Sequence, residues 1–247
     1  MSICCTSKED GNWVFVEKNE GDYVMNILEC SSLNKLFKQG DSTVYAVKDC
    51  NLKIAQGSFS VIIGSSGSGK TTLLHLLAAF EKPTNGTVFV HNKELYRMTE
   101  SELANFRNKE MGFVFQNFNL LPILTAEENI LMPAVIGKTT ISKTYFLELC
   151  DCLKLTERLN HLPHELSGGQ QQRVAIARAM INHPRILFAD EPTGNLDKKT
   201  ASELIELLSA SNKKFGQTIL MVTHDLSIAD IADYVYYMDD GLLKQIK

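Results

Sequence analysis

What the chain lacks narrows its class before any motif is read. No apolar run approaches the ~20 residues that a membrane-spanning helix needs. The longest candidate, Leu120 to Ile136, is broken by Pro122, Glu127, Glu128, Asn129 and Pro133. The N-terminus has no charged-then-apolar layout of a secretory signal, so a soluble, cytosolic chain is expected. Basic charge is not in excess. A formal net charge of −4 supplies no field for a phosphate backbone, and no nucleic-acid partner is expected. The six cysteines (Cys4, Cys5, Cys30, Cys50, Cys150 and Cys152) form no C-x-x-C pair and have no His at metal-ligand spacing. Reduced thiols without a role are the expectation, with oxidation or metal binding at Cys4 and Cys5 the weaker alternative. No internal repeat, low-complexity tract or sustained heptad pattern is present. Repeat architectures and long coiled coils are thereby excluded.

What remains is a globular chain of 247 residues, long enough for one substantial core. Residues 1–24 are polar and mixed and read as a tail of unreadable role; Met25 would serve equally as a start. Short apolar runs then alternate with helical patterns. Asn26 to Glu29 reads as an edge strand, Ser60 to Ile63 as a buried strand, and Thr71 to Phe80 as the helix after it. Thr87 to Val90 and Gly112 to Phe115 read as strands. Ile186 to Ala189 and Ile219 to Val222 are continuous apolar runs, as central parallel strands require. A helix is expected at about Thr200 to Leu208. Repeated strand and helix argue an α/β core with a mostly parallel sheet. The stretch Gln116 to Gly168 carries no strand signal. It holds a capping box at Thr125 and a helical run from Lys143 to Leu153, and reads as a helical insert.

One loop carries the strongest chemical signal. Gly64-Ser65-Ser66-Gly67-Ser68-Gly69-Lys70-Thr71-Thr72 matches G-x-x-x-x-G-K-[ST] between a strand and a helix, the P-loop context. Its glycines let successive N–H groups face an anion, and the following helix adds its positive end. Lys70 adds a full charge against β- and γ-phosphates, and Thr71 offers a hydroxyl to Mg²⁺. A matching acid lies at Asp190, where the apolar strand ends. It is placed to hold Mg²⁺ through water, as in P-loop NTPases. The adjacent Glu191 points elsewhere and can take a proton from an attacking water.

The family is narrowed by Leu166-Ser167-Gly168-Gly169-Gln170 and the run Gln171 to Ala179. Ser167 and Gln170 have capping-box spacing, and the two glycines leave the first turn open to an anion. This segment resembles the signature of ABC ATPases. The resemblance runs from about Met25 to the C-terminus. It implies a P-loop NTPase core with a mostly parallel sheet, an antiparallel β subdomain and an inserted α-helical subdomain at about 117–168. It also implies that two copies pack head to tail, each signature meeting the ATP held by the other copy's P-loop.

Further roles follow from the same resemblance, position by position. Gln116 matches the Q-loop, which contacts Mg²⁺ or water. Gly194-Asn195-Leu196-Asp197 matches the D-loop at the dimer interface, and His224 the switch histidine that touches the γ-phosphate. Phe37 falls where the family has an adenine-stacking aromatic, and only a π face is needed there. His75 and His183 are assigned no role.

Within the family, Phe115 to Pro122, Leu124 to Asn129 and Pro192 to Asp197 look like the macrolide-exporter, lipoprotein-release, cell-division and bacitracin-resistance branch. One departure is Ala78-Ala79-Phe80, where the family often has Gly-Gly-Leu. The implied function is ATP hydrolysis driving a separate membrane permease from the cytoplasmic face, with apolar residues such as Phe118 and Leu121 seating the partner's helix. Regulation of a cell-envelope hydrolase through a membrane partner stays open as the alternative.

Overall fold

The structure, a computed structural model, describes residues 4–9, 12–16, 25–39 and 42–247. Most of the expected tail lies outside them. Within it, β1 (Cys4–Glu9) and β2 (Asn12–Val16) pair as an antiparallel hairpin. The chain continues through β3 (Asn26–Gln39), β4 (Ser42–Ala55), β5 (Phe59–Ile63), α1 (Lys70–Leu77), β6 (Asn85–Val90) and β7 (Lys93–Glu94). Next come α2 (Glu100–Glu110), β8 (Met111–Val114), α3 (Ala126–Gly137), α4 (Lys143–Cys152) and α5 (Gly168–Met180). The last elements are β9 (Ile186–Asp190), α6 (Lys198–Phe215), β10 (Thr218–Thr223), β11 (Tyr234–Asp239) and β12 (Leu242–Gln245).

The main sheet has the order β12-β11-β5-β10-β9-β8, parallel except at its β12 edge. Its central strands are apolar throughout because both faces are covered. Val61, Ile63, Leu187, Ala189, Ile219 and Met221 pack with α3 to α6 into one core. Their neighbours Ile62, Ile186, Phe188, Leu220 and Val222 pack with α1 and the second sheet into another. That second sheet is antiparallel, in the order β4-β3-β6-β7.

Register then sets the functional edge. Val222 lies beside Ile62 on one side and Asp190 on the other, Thr223 beside Ile63, and Val114 beside Ala189. Four strands therefore end level, and the loops that follow them open on one side, where open α/β sheets bind ligands.

Several expectations are corrected. Asn26 to Glu29 is not an edge: β3 runs on to Gln39 and lies between β4 and β6. Register shifts around Cys30 to Leu36 break its alternation, so the apolar pattern fades before the strand does. The helix expected over Thr71 to Phe80 stops at Leu77. Phe80 N–H bonds His75 O at 2.9 Å and Ala79 N–H bonds Leu76 O at 3.1 Å, a Schellman closure. Ala79 thus takes the left-handed position (φ 53°) that glycine favours. Phe115 has left the strand. The helix expected over Thr200 to Leu208 extends to Lys198–Phe215, with Asp197 capping its start.

Candidate functional site

Glycine is required at Gly69 by its surroundings. It begins α1 with φ 103°, and a Cβ there would run into the carbonyl of Ala46 on β4. The second sheet is thereby drawn against the phosphate loop. With no side chain capping α1, its first amides stay available to an anion. Lys70 is 5% exposed, and its ammonium donates to Gly64 O (2.9 Å) and Ser65 O (2.8 Å). Burial pushes its pKa down, opposed by the charges of Glu191 and Asp190. Ser65, Ser66 and Gly67 form the exposed rim of the loop, and Thr72 is half-buried behind it. Ser68 is buried, and its hydroxyl has no partner among the described residues.

Across the edge, Thr71 Oγ1 donates to Asp190 Oδ1 at 3.0 Å. Burial raises the Asp190 pKa, while the Thr71 hydrogen bond and His75 act against it. A hydroxyl beside a carboxylate suits Mg²⁺, which takes one or two protein oxygens and otherwise water and phosphate oxygens. Among the described residues no group of three or more His, Cys, Asp or Glu is placed to hold a metal ion by itself.

Glu191, next in sequence, takes φ 43°, and its N–H bonds Val222 O at 3.0 Å. This bend turns its side chain away from Asp190 and toward His224, whose Nδ1 is 3.2 Å from Glu191 Oε2. His224 and the expected base therefore meet, although 33 residues separate them.

Gln116 is exposed after β8, and a side chain on Gly194 would come within 2.8 Å of its Nε2. The Q-loop and the D-loop thus touch. Asp197, expected at the nucleotide, is engaged locally. It accepts from Lys199 N and Thr200 N (both 3.1 Å) and from Thr200 Oγ1 (2.6 Å), bonds that hold its carboxyl below the usual range. Phe37 is 39% exposed on β3, with the Lys35 ammonium 5.0 Å from its ring centre.

The signature turn is formed as expected but stands apart. Ser167 Oγ accepts from Gln170 N (3.3 Å), and Gln170 Oε1 accepts from Ser167 N (2.9 Å). The amides of Gly168 and Gly169 have no partner among the described residues. No hydrogen bond or ion pair among those residues joins Ser167 to Gln170 with the P-loop. Gly168 instead faces Phe118 and Leu196.

Two features escaped the sequence. His75 Nε2 lies 3.8 Å from Asp190 Oδ2, and its ring contacts Phe80 and Phe113. Its place one helical turn after Thr71, on the same face of α1, was the available signal. The second is a groove of about 310 Å³ bordered by Phe113, Phe115, Asn119, Met132, Pro133 and Arg178. Phe118 and Leu121, expected to form such a groove, are not among its walls: the Phe118 ring is drawn against Gly168.

A phosphate loop after β5, an acid at the end of β9 with β10 between the two strands, and a helix-start signature on one such sheet define a P-loop nucleotide hydrolase. The comparisons carry this to the family. The ABC transporter family matches residues 47–194. An uncharacterized ABC transporter ATP-binding protein of Methanocaldococcus jannaschii is 42% identical over 87% of this chain and 94% of its own length. The lipoprotein-releasing system ATP-binding protein LolD of Acinetobacter baylyi is 45% identical over 87% and 96%. The macrolide export ATP-binding/permease protein MacB of Bdellovibrio bacteriovorus is 42% identical over 88% of this chain, which spans 33% of that longer protein. Among solved structures, a dimeric post-hydrolysis ATP-binding cassette bound to ADP and phosphate has a TM-score of 0.78 at 39% identity, covering 89% of this chain and 99% of that one. The chain belongs to the ABC transporter family. It is an ATP-binding, ATP-hydrolysing cassette with the P-loop NTPase fold.

Proposed function

We propose that this cassette works as a head-to-tail homodimer, holding two ATP, and drives a separate membrane permease from the cytoplasmic face. The observation that carries the reading is the division just described. Lys70, Thr71, Asp190, Glu191 and His224 converge at one sheet edge, while the Ser167 turn keeps two open amides and bonds none of them. A second copy supplies the missing half. The relatives that are dimeric or named with a permease support the same assembly, and no helix among the described residues is long and apolar enough to cross a membrane.

In this reading the domain spans 25–247, with 117–168 as its helical subdomain. Phe37 stacks on adenine. The loop amides from Gly64 to Thr72 and the Lys70 ammonium take the β- and γ-phosphates, Lys70 exchanging its carbonyl partners for them. Thr71 and Asp190, with Gln116, would hold Mg²⁺, which would neutralise charge on the phosphates. Glu191 accepts the proton of the attacking water. His224, whose Nδ1 lies beside that carboxylate, touches the γ-phosphate. Ser167, Gly168, Gly169 and Gln170 meet the γ-phosphate held by the other copy, and Asp197 shapes the D-loop between them. The Phe113–Arg178 groove receives a cytoplasmic helix of the permease. Export, or mechanical work beyond the membrane, fits the relatives named for lipoprotein release and macrolide export.

Replacing the base tests the reading. With ATP, Glu191→Gln is expected to sediment as a stable dimer with turnover lowered roughly 10²- to 10⁴-fold, the usual worth of a positioned base. A strict monomer with its permease present, or normal turnover, would refute it.

A further inference from the structure

The Q-loop is tied to the carboxylate turn by two side-chain amides, Gln172 and Asn195, to which the motif matches gave no individual role. Gln172, fully buried on α5, donates Nε2 to Phe115 O (3.2 Å) and to Pro192 O (2.8 Å). One side chain thus joins the residue before Gln116 to the residue after Glu191. Asn195 makes the second tie, donating Nδ2 to Gln116 O (3.1 Å) and to Asn117 Oδ1 (3.0 Å). Between them Gly194 brings the backbone against the Gln116 amide, with no room for a side chain unless Gln116 moves. The far end of the same loop is held by Arg178, which donates to Phe118 O (2.8 Å) and Asn119 O (2.7 Å) while lining the groove.

The Gln172 amide pairs its two carbonyls in the interior, where an unpaired carbonyl is costly, while the Asn195 pair lies at the surface. A loop bonded only at its outer end would swing freely over the sheet edge. Bonded at Phe115, Gln116 and Asn117, it moves with residues 192–195.

We propose that Asn195 and Gln172 are positioning residues for hydrolysis, fixing the Q-loop on the Glu191 turn so that the Gln116 side chain is held in register with the site. The inference rests on the roles proposed for Gln116 and Glu191. A displacement of Phe115 to Asn119 by an occupant of the groove then reaches Glu191 through these two amides, and the signature helix that carries Gln172 shares the movement.

A double-mutant cycle in the full chain tests it. Asn195→Ala and the donor-less isostere Asn195→Asp are each expected to lower kcat roughly 10-fold or more, because small misplacements of catalytic groups are costly. The KM for ATP, the affinity for a fluorescent ATP analogue and the melting temperature of the Asn195 variants should stay near wild type. A structural defect would move those quantities instead. Gln116→Ala should lower kcat, and adding Asn195→Ala to it should lower kcat no further, since Asn195 acts through Gln116.

Multiplied losses in the double variant, or wild-type kcat in Asn195→Asp, would overturn the proposal. Wild-type kcat in Gln116→Ala would overturn the parent role of the Q-loop itself, a separate reading. Gln172→Leu is expected to lower both kcat and melting temperature. If it does not fold, the Asn195 series decides alone.

Discussion

Two helix starts in this molecule are built to meet anions, and they are finished in opposite ways. At α1 no side chain caps the end, a buried lysine fills the cradle, and Thr71, His75 and Asp190 crowd the same edge. At α5 a reciprocal capping box closes the turn, no charged side chain joins it, and two glycine amides stay open. The first end is a nearly complete phosphate site within one chain. The second has the donors for a phosphate, and no hydrogen bond or ion pair among the described residues joins a charged side chain to them. The contrast underlies the proposed pairing, in which one copy brings charge and acid and the other brings neutral, preorganised donors.

The sharpest way to break that comparison is complementation. Lys70→Ala and Ser167→Arg are each expected to lose turnover by about 10²-fold or more, as loss of preorganised charge stabilisation typically costs. Mixed in equal amounts, the two dead variants should regain about a quarter of wild-type turnover: with closed two-fold pairing, half the dimers hold both variants and keep one intact site. Steady-state ATPase assays check this. No recovery in mixtures shown to exchange subunits would place both helix ends in the same chain's site.

A smaller effect separates function from stability at the α1 edge. Burial raises the Asp190 pKa above its unfolded value, so its ionised form is disfavoured in the folded chain. Such a group stabilises below the unfolded pKa, and that contribution is lost as pH rises through the folded one. At neutral pH without nucleotide or Mg²⁺, Asp190→Asn should therefore raise the melting temperature while abolishing turnover, and the gain should fade in acid. A lower melting temperature at neutral pH would show that the Thr71 and His75 contacts outweigh burial.

The smallest expected effect lies at the other end of α1. Ala79 holds a left-handed conformation that costs a non-glycine residue about 1–2 kcal/mol, part of which glycine returns as chain entropy. Ala79→Gly should stabilise the fold by about 1 kcal/mol, read from urea denaturation, with turnover unchanged. The Ala79 carbonyl keeps its bond from Arg107 in either case.

Local chemistry made much of this molecule readable in advance. The Gly64–Thr72 loop, the Ser167 and Thr125 capping boxes and the apolar runs ending at Asp190 and Thr223 each consist of neighbouring residues whose spacing dictates geometry within a few bonds. So the phosphate cradle, the acid at the strand end and the parallel core could be placed from the chain alone. The length of β3 could not, because its bulges are stabilised by pairing to two strands and not by its own alternation. Nor could the stop of α1 at Leu77, since alanines at 78 and 79 favour helix and only the packed Schellman turn overrides them.

Long-range contacts were decided by the tertiary structure. It brought His224 onto Glu191 and His75 within reach of Asp190, and it put Gln172 and Asn195 between the Q-loop and the carboxylate turn. Those partners are as much as 115 residues apart, as His75 and Asp190 are. Sequence spacing determines which groups a helix start or strand end presents. Which other segment comes to meet them depends on strand order and register, and these are fixed by burying both faces of the sheet at once.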